Sequence, residues 1–90
     1  MNVIHEDGRF TLQQDGAAIG TLKYALADGR MRIDHVGVAP AYRGQGLARE
    51  LVAAAARFAH EAGMQIVPVC PYARAVLLRD KTWAAWCAPQ

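Results

Sequence analysis

Apolar residues change period along this chain, and each change marks an element. From Arg9 to Gln14 they alternate, with Phe10 and Leu12 sharing a phase, and from Ala17 to Leu26 they alternate again, with Leu22, Tyr24 and Leu26 in step. Period two predicts half-buried strands. Asp7-Gly8, Asp15-Gly16 and Asp28-Gly29 punctuate these runs as hairpin turn signals. The first forty residues therefore predict an antiparallel meander. The next run, Arg30 to Val38, breaks phase: Met31 and Ile33 fall on one face, Val36 and Val38 on the other. A β-bulge near Asp34-His35 would bring all four together. The alternative is a strand buried on both faces.

The period then lengthens. Leu47, Leu51, Ala55, Phe58, Ala59 and Ala62 form one apolar stripe at helical spacing, with Arg49, Glu50, Arg57 and Glu61 mostly off it. This predicts a helix over Gly46 to Ala62, stopped by Gly63. Gln65 to Val69 reads as a short strand. Strand, helix, strand implies parallel pairing through a crossover. Pro68 cannot donate a ladder bond, so this strand lies at an edge or splays from its neighbour. Pro71 to Asp80 predicts a second, shorter helix with Pro71 in its first turn. The tail Lys81 to Gln90, with Trp83 and Trp86, is assigned no element; the pair either closes the core or forms a dimer contact. The expected fold class is α/β (α+β): a single domain, 1–90, with a mainly antiparallel sheet, one crossover helix and a short second helix.

Composition narrows the functional classes. With 53% hydrophobic and 20% charged residues, a core is within reach without staples. A net charge of +2, carried by scattered basic residues with no aromatic platform, argues against nucleic acid. Cys70 and Cys87 form no CxxC and no Cys/His cluster, so neither a metal site nor a disulfide framework is expected. The start lacks a signal-peptide pattern, and no apolar run approaches the ~20 residues of a membrane span. The expectation is a cytoplasmic protein with reduced thiols, no membrane partner, and a monomeric or weakly homodimeric state.

The chemistry concentrates where the strand pattern meets the helix pattern: Val38-Ala39-Pro40-Ala41-Tyr42-Arg43-Gly44-Gln45-Gly46-Leu47-Ala48. A glycine-rich basic loop opening a helix presents free N–H groups and a positive dipole end to an anion. A first-turn arginine, Arg49, opposes that dipole unless an anion is also present. The Walker pattern is absent, because no Gly-Lys-Ser/Thr follows. The dinucleotide fingerprint fails too, because its third glycine is Arg49 here. Arg43-x-x-Gly46-x-Ala48 instead resembles the Q/R-x-x-G-x-G/A signature of the GNAT superfamily of N-acetyltransferases. The order of elements is similar as well. His35-Val36-Gly37-Val38-Ala39-Pro40 and Pro68-Val69-Cys70-Pro71-Tyr72 resemble segments of the very small single-domain members.

The resemblance implies an acetyl-CoA-dependent N-acetyltransferase that uses no metal and acts on a small-molecule or protein amine. Arg43, Gly44, Gln45, Gly46, Leu47 and Ala48 would hold the coenzyme pyrophosphate. Val36 and Val38 would bond the pantetheine arm through their backbone, and an N–H there would hold the oxyanion. Cys70, between a strand end and a helix start, is placed to favour its thiolate and is a candidate nucleophile or acid; the alternative is a small buried hydrophobe. His35, at the bulge, is a candidate base for the amine, or else satisfies local polar groups. Tyr72 is a weaker candidate acid. His5 and His60 read as surface residues. Arg30, Arg32, Arg74 and Arg79 read as solvated faces, with the coenzyme 3′-phosphate the one ligand group that some would meet. Full-size members carry further helices and strands on the acceptor side and often an Asn-x-x-Ala…Tyr pattern in the later helix, both missing here. A rival reading is therefore a non-catalytic module that binds acyl-CoA or a protein.

Overall fold

The structure, a computed structural model, describes residues 1–89. Strands β1 (Asn2–Glu6), β2 (Arg9–Gln14), β3 (Ala17–Ala27) and β4 (Arg30–Val38) form an antiparallel meander, and β5 (Gln65–Pro68) adds to it parallel to β4. Both central residues have positive φ in the Asp15-Gly16 and Asp28-Gly29 turns, the mirror-image geometry that matches strand twist. Helices α1 (Leu47–Glu61), α2 (Pro71–Arg79) and α3 (Lys81–Trp86) complete the described chain.

The phase break in β4 is a bulge. Lys23 pairs with His35 and Tyr24 with Ile33, so Asp34 is the extra residue. Met31 and Ile33 before it, and Val36 and Val38 after it, consequently share the core side. Strands β4 and β5 run in register only from Arg30/Gln65 to Ile33/Pro68. There the Ile33 carbonyl accepts from both Val69 and Cys70 N–H, each at 3.0 Å. β5 thus stops one residue short of the expected Val69. Beyond this fork β4 continues to Val38 without β5 beside it.

Helix α1 covers the sheet with Leu47, Leu51, Ala55 and Ala59 of the expected stripe, together with Val52 and Ala56. Lying flat on a sheet buries a wider arc than a single stripe. Phe58 is partly buried and Ala62 is the exposed C-cap. Leu26 is a correction: although in phase with Leu22 and Tyr24, it is half exposed, because it sits at the strand end beside the Asp28-Gly29 turn.

His5 and His60 are exposed, as expected of surface residues, and each also rests on aromatic neighbours. His5, cross-strand from Phe10, stacks on that ring at 4.1 Å, meets Phe58 edge-on, and hydrogen-bonds Tyr24 Oη through Nε2. His60 stacks on Trp86 at 4.0 Å. Neither pattern is periodic, so the sequence gives no sign of either.

The unassigned tail closes the core. Asp80 caps α3, its Oδ1 accepting from Thr82 and Trp83 N–H. Trp83 and Trp86 pack on the core, Cys87 bridges Ile66 in parallel sense, and Ala88 N–H donates to the Ile66 carbonyl at 2.8 Å. The tail thus covers part of the β5 edge, which would otherwise be open to strand addition. Partial burial pushes the Cys87 thiol up from its ordinary value, and its Sγ lies 3.5 Å from the Trp83 carbonyl. Both effects favour the thiol over the thiolate. We expect Cys87 in the native protein to alkylate several-fold more slowly at pH 8 than in the urea-unfolded chain, read by mass spectrometry.

Candidate active site

Because β5 ends at Pro68 while β4 continues, a cleft of about 450 Å³ opens between the free part of β4, the loop into α1, and the start of α2. One wall is Val36, Gly37 and Val38; Tyr72 of α2 closes another side. The remaining wall is the loop itself, Tyr42, Arg43, Gly44 and Gly46, followed by Leu47 and Ala48.

Local chemistry shapes this loop. A 3₁₀ turn, Pro40–Tyr42, follows β4 and is tied down by Ala39 N–H to the Ile19 carbonyl at 2.8 Å. Arg43 Nε donates to the Val38 carbonyl at 3.2 Å, which pins the loop to the strand it leaves. Gly44 and Gly46 adopt φ of +82° and +75°, a region L side chains rarely enter. A Cβ at either would meet nothing within 4 Å, so backbone conformation, not crowding, calls for glycine there. Gly46 is the N-cap of α1 and supplies no side-chain cap; the first bond across it is Glu50 N–H to the Gly46 carbonyl. The first N–H groups of α1 therefore lack a side-chain acceptor, at the positive end of a fifteen-residue helix. This is an anion-receptive wall facing an apolar strand wall.

The expected site residues divide. Val36, Val38, Arg43, Gly44, Gly46, Leu47 and Ala48 come together around the cleft. Gln45 is exposed and does not line it. Cys70 is the buried N-cap residue of α2, placed at the fork by its N–H bond to Ile33; it makes no side-chain cap and does not line the cleft. His35 is exposed and outside it too. Successive strand residues face opposite sides, and Val36 pairs with the core residue Leu22, so His35 points to the other face of the sheet. Its Nε2 stands 3.0 Å from where a Cβ on Gly37 would be. Arg49, in the first turn of α1, lies over the Trp83 ring, 5.0 Å from its centroid.

Sequence reasoning left out Gly37 and gave Tyr42 no role, though both line the cleft. The available signal was position alone, between Val36 and Val38 and directly before Arg43. Among the described residues no cluster of three His, Cys, Asp or Glu side chains could hold a metal ion, and no helix is long and apolar enough to cross a membrane.

No curated protein matches the chain. Among solved structures it is similar to a GCN5-like protein from Staphylococcus aureus, with a TM-score of 0.79 and 22% identity over 99% of this chain and 89% of that one. It is also similar to a ribosomal-protein-alanine N-acetyltransferase from Brucella melitensis, with a TM-score of 0.65 and 22% identity over 91% and 63% of the two chains. A GNAT-family acetyltransferase from Brucella melitensis, solved with acetyl-CoA, gives a TM-score of 0.64 and 21% identity over 74% and 49%. The chain thus spans about half to two-thirds of the latter two. At these identities the likeness concerns the fold: a mostly antiparallel five-stranded sheet with its crossover helix. Residues 9–86, from β2 through the loop, the fork and both later helices, match the family described as GCN5-related N-acetyl-transferase, and the chain belongs to that family.

Proposed function

We propose that this protein binds acetyl-CoA in the cleft and transfers the acetyl group to an amine. The observation that carries the reading is the fork at Ile33, which leaves the 36–38 segment of β4 without β5 opposite an uncapped, glycine-formed helix start. In this reading the N–H groups from Gly44 to Ala48 take the pyrophosphate, and Arg43 adds charge while holding the loop. The pantetheine arm lies along Val36 to Val38. A backbone N–H in that stretch holds the oxyanion when the amine nitrogen bonds to the thioester carbon. As the carbon–sulfur bond breaks, the departing thiolate takes a proton.

Two groups are candidate acids, the Tyr72 hydroxyl in the cleft wall and the Cys70 thiol at the fork. Cys70 also remains the candidate carrier of the acetyl group. His35, across the sheet at Gly37, suits the base for an amine arriving from that face.

A two-dimensional NMR titration with acetyl-CoA, with coenzyme A and ADP as controls, tests the reading. We expect shifts concentrated at residues 36–38 and 43–48 with affinity better than about millimolar. No shifts at millimolar ligand would remove it. If binding holds, Cys70→Ala, Tyr72→Phe and His35→Gln are compared in an acetyl-transfer assay. Loss of the acting acid or base is expected to cost about a hundredfold in rate with binding kept.

A second reading is a coenzyme-binding module without transfer. It is favoured by Cys70 and His35 standing outside the cleft lining. Binding without turnover across an amine panel would establish it.

A further inference from the structure

On the sheet face that α1 leaves uncovered, three basic side chains stand in a row. Arg9, Lys23 and His35 are cross-strand partners on β2, β3 and β4. Arg9 precedes Phe10, Lys23 lies between Leu22 and Tyr24, and His35 precedes Val36; those neighbours face the core, so the three basic groups face away from it. Like charges side by side on a sheet are unfavourable, and little offsets them here. Glu6 reaches Arg9 at 3.6 Å, and the carboxylate of Asp34, the bulge residue beside His35, is held by Arg32 through two hydrogen bonds. Lys23 has no carboxylate partner among the described residues.

A shallow hollow of about 290 Å³ adjoins this row, with Thr21, His35, Gly37 and Val38 in its lining. Gly37 and Val38 also line the cleft, so the two spaces meet at β4. At Gly37 no side chain stands between them. A Cβ there would lie 3.0 Å from His35 Nε2, so the bare backbone is what lets the imidazole fold over this thin point.

We infer that the hollow takes the acetyl acceptor and that the acceptor is an α-amino acid, its amine at His35 over Gly37 and its carboxylate on Lys23. The inference rests on the transfer reading above and adds the substrate class. The step is the one already given, with His35 taking the proton that the amine sheds. Opposite residues on paired strands carry Cβ atoms about 5 Å apart, which suits a ligand whose amine and carboxylate share one carbon. The carboxylate supplies the negative charge the row lacks. A diamine would instead bring a second positive charge up to Lys23 and Arg9.

Acetyl transfer at saturating acetyl-CoA to matched pairs tests this: phenylalanine against phenethylamine, and ornithine against putrescine. In each pair kcat/KM is expected to be about fivefold higher for the amino acid, with the gap shrinking at high salt. Lys23→Glu should invert the order, so that putrescine outruns ornithine. Lys23 is exposed, and a glutamate there would face Arg9, so the urea midpoint should not fall. Equal kcat/KM within the pairs, or an amino-acid preference that survives Lys23→Glu, would overturn the assignment and leave the transfer reading standing. If no amine is acetylated, transfer itself fails, and the site is judged by two-dimensional NMR on protein saturated with coenzyme A. Shifts at residues 21, 23, 35 and 37 with phenylalanine but not phenethylamine would uphold an amino-acid site. No such shifts, or equal shifts with both, would overturn it.

Discussion

Gly46→Asp is expected to weaken acetyl-CoA binding by about a hundredfold or more while the protein stays folded. Three features of the loop combine to give this result. The backbone at Gly46 has φ of +75°, so any side chain there costs roughly 1 kcal/mol, least for Asp and Asn. The space a Cβ would enter is open, so no core atom has to move. Gly46 is the N-cap residue of α1, so a carboxylate introduced there would compete for the uncapped first-turn donors proposed for the pyrophosphate and repel its charge. Gly16→Asp is the matched control. Gly16 also has positive φ, +80°, and open space around its Cβ position, but it lies in the β2–β3 turn and outside the cleft. Gly16→Asp, whose carboxylate caps no helix, should lose at least as much stability in urea titrations as Gly46→Asp, and only Gly46→Asp should lose the ligand in calorimetry. Equal binding by both would show that the loop is a turn and nothing more.

Leu51→Ala is expected to cost about 3 kcal/mol of folding stability, in the usual range for a fully buried leucine. Leu51 has no exposed surface, and its Cδ1 lies 3.2 Å from where a Cβ on Gly20 would stand, so it fills the contact between α1 and the first half of β3. A small domain of marginal stability, about 5–15 kcal/mol in all, would lose a large fraction of it. Because α1 also begins the ligand loop, the variant should bind acetyl-CoA only as far as it remains folded. Urea denaturation with and without ligand reads both effects. A loss below about 1 kcal/mol would mean that the helix seat on the sheet is looser than its burial implies.

The sequence carried the local elements well because each was written in a period or a turn. Alternation placed β2 and β3, Asp-Gly pairs placed the turns, and the Leu47-to-Ala59 stripe placed α1. The bulge at Asp34 was legible for the same reason: two apolar pairs out of phase on one strand can share a core only if a residue is added. The loop was legible because helix starts and glycines at positive φ leave strong residue signatures. α3 was not, since six residues around two tryptophans have too few turns to show a period, and its cap, Asp80, becomes visible only once α2 is seen to end there.

What only the tertiary structure decided concerns faces and neighbours. The family resemblance set residues 36, 38 and 43–48 side by side, and the fold did gather nearly all of them around one cleft. Sequence alone could not say that β4 and β5 part at Ile33, because that depends on one carbonyl accepting two N–H groups, from Val69 and Cys70, just past a strand distant in sequence. Nor could it say that His35 faces away from the cleft, that Cys70 stands outside its lining, or that Arg49 lies on Trp83. Spacing along the chain fixes which residues share an element. Which elements share a hollow is fixed by packing between residues far apart in sequence, and that is information no local period contains.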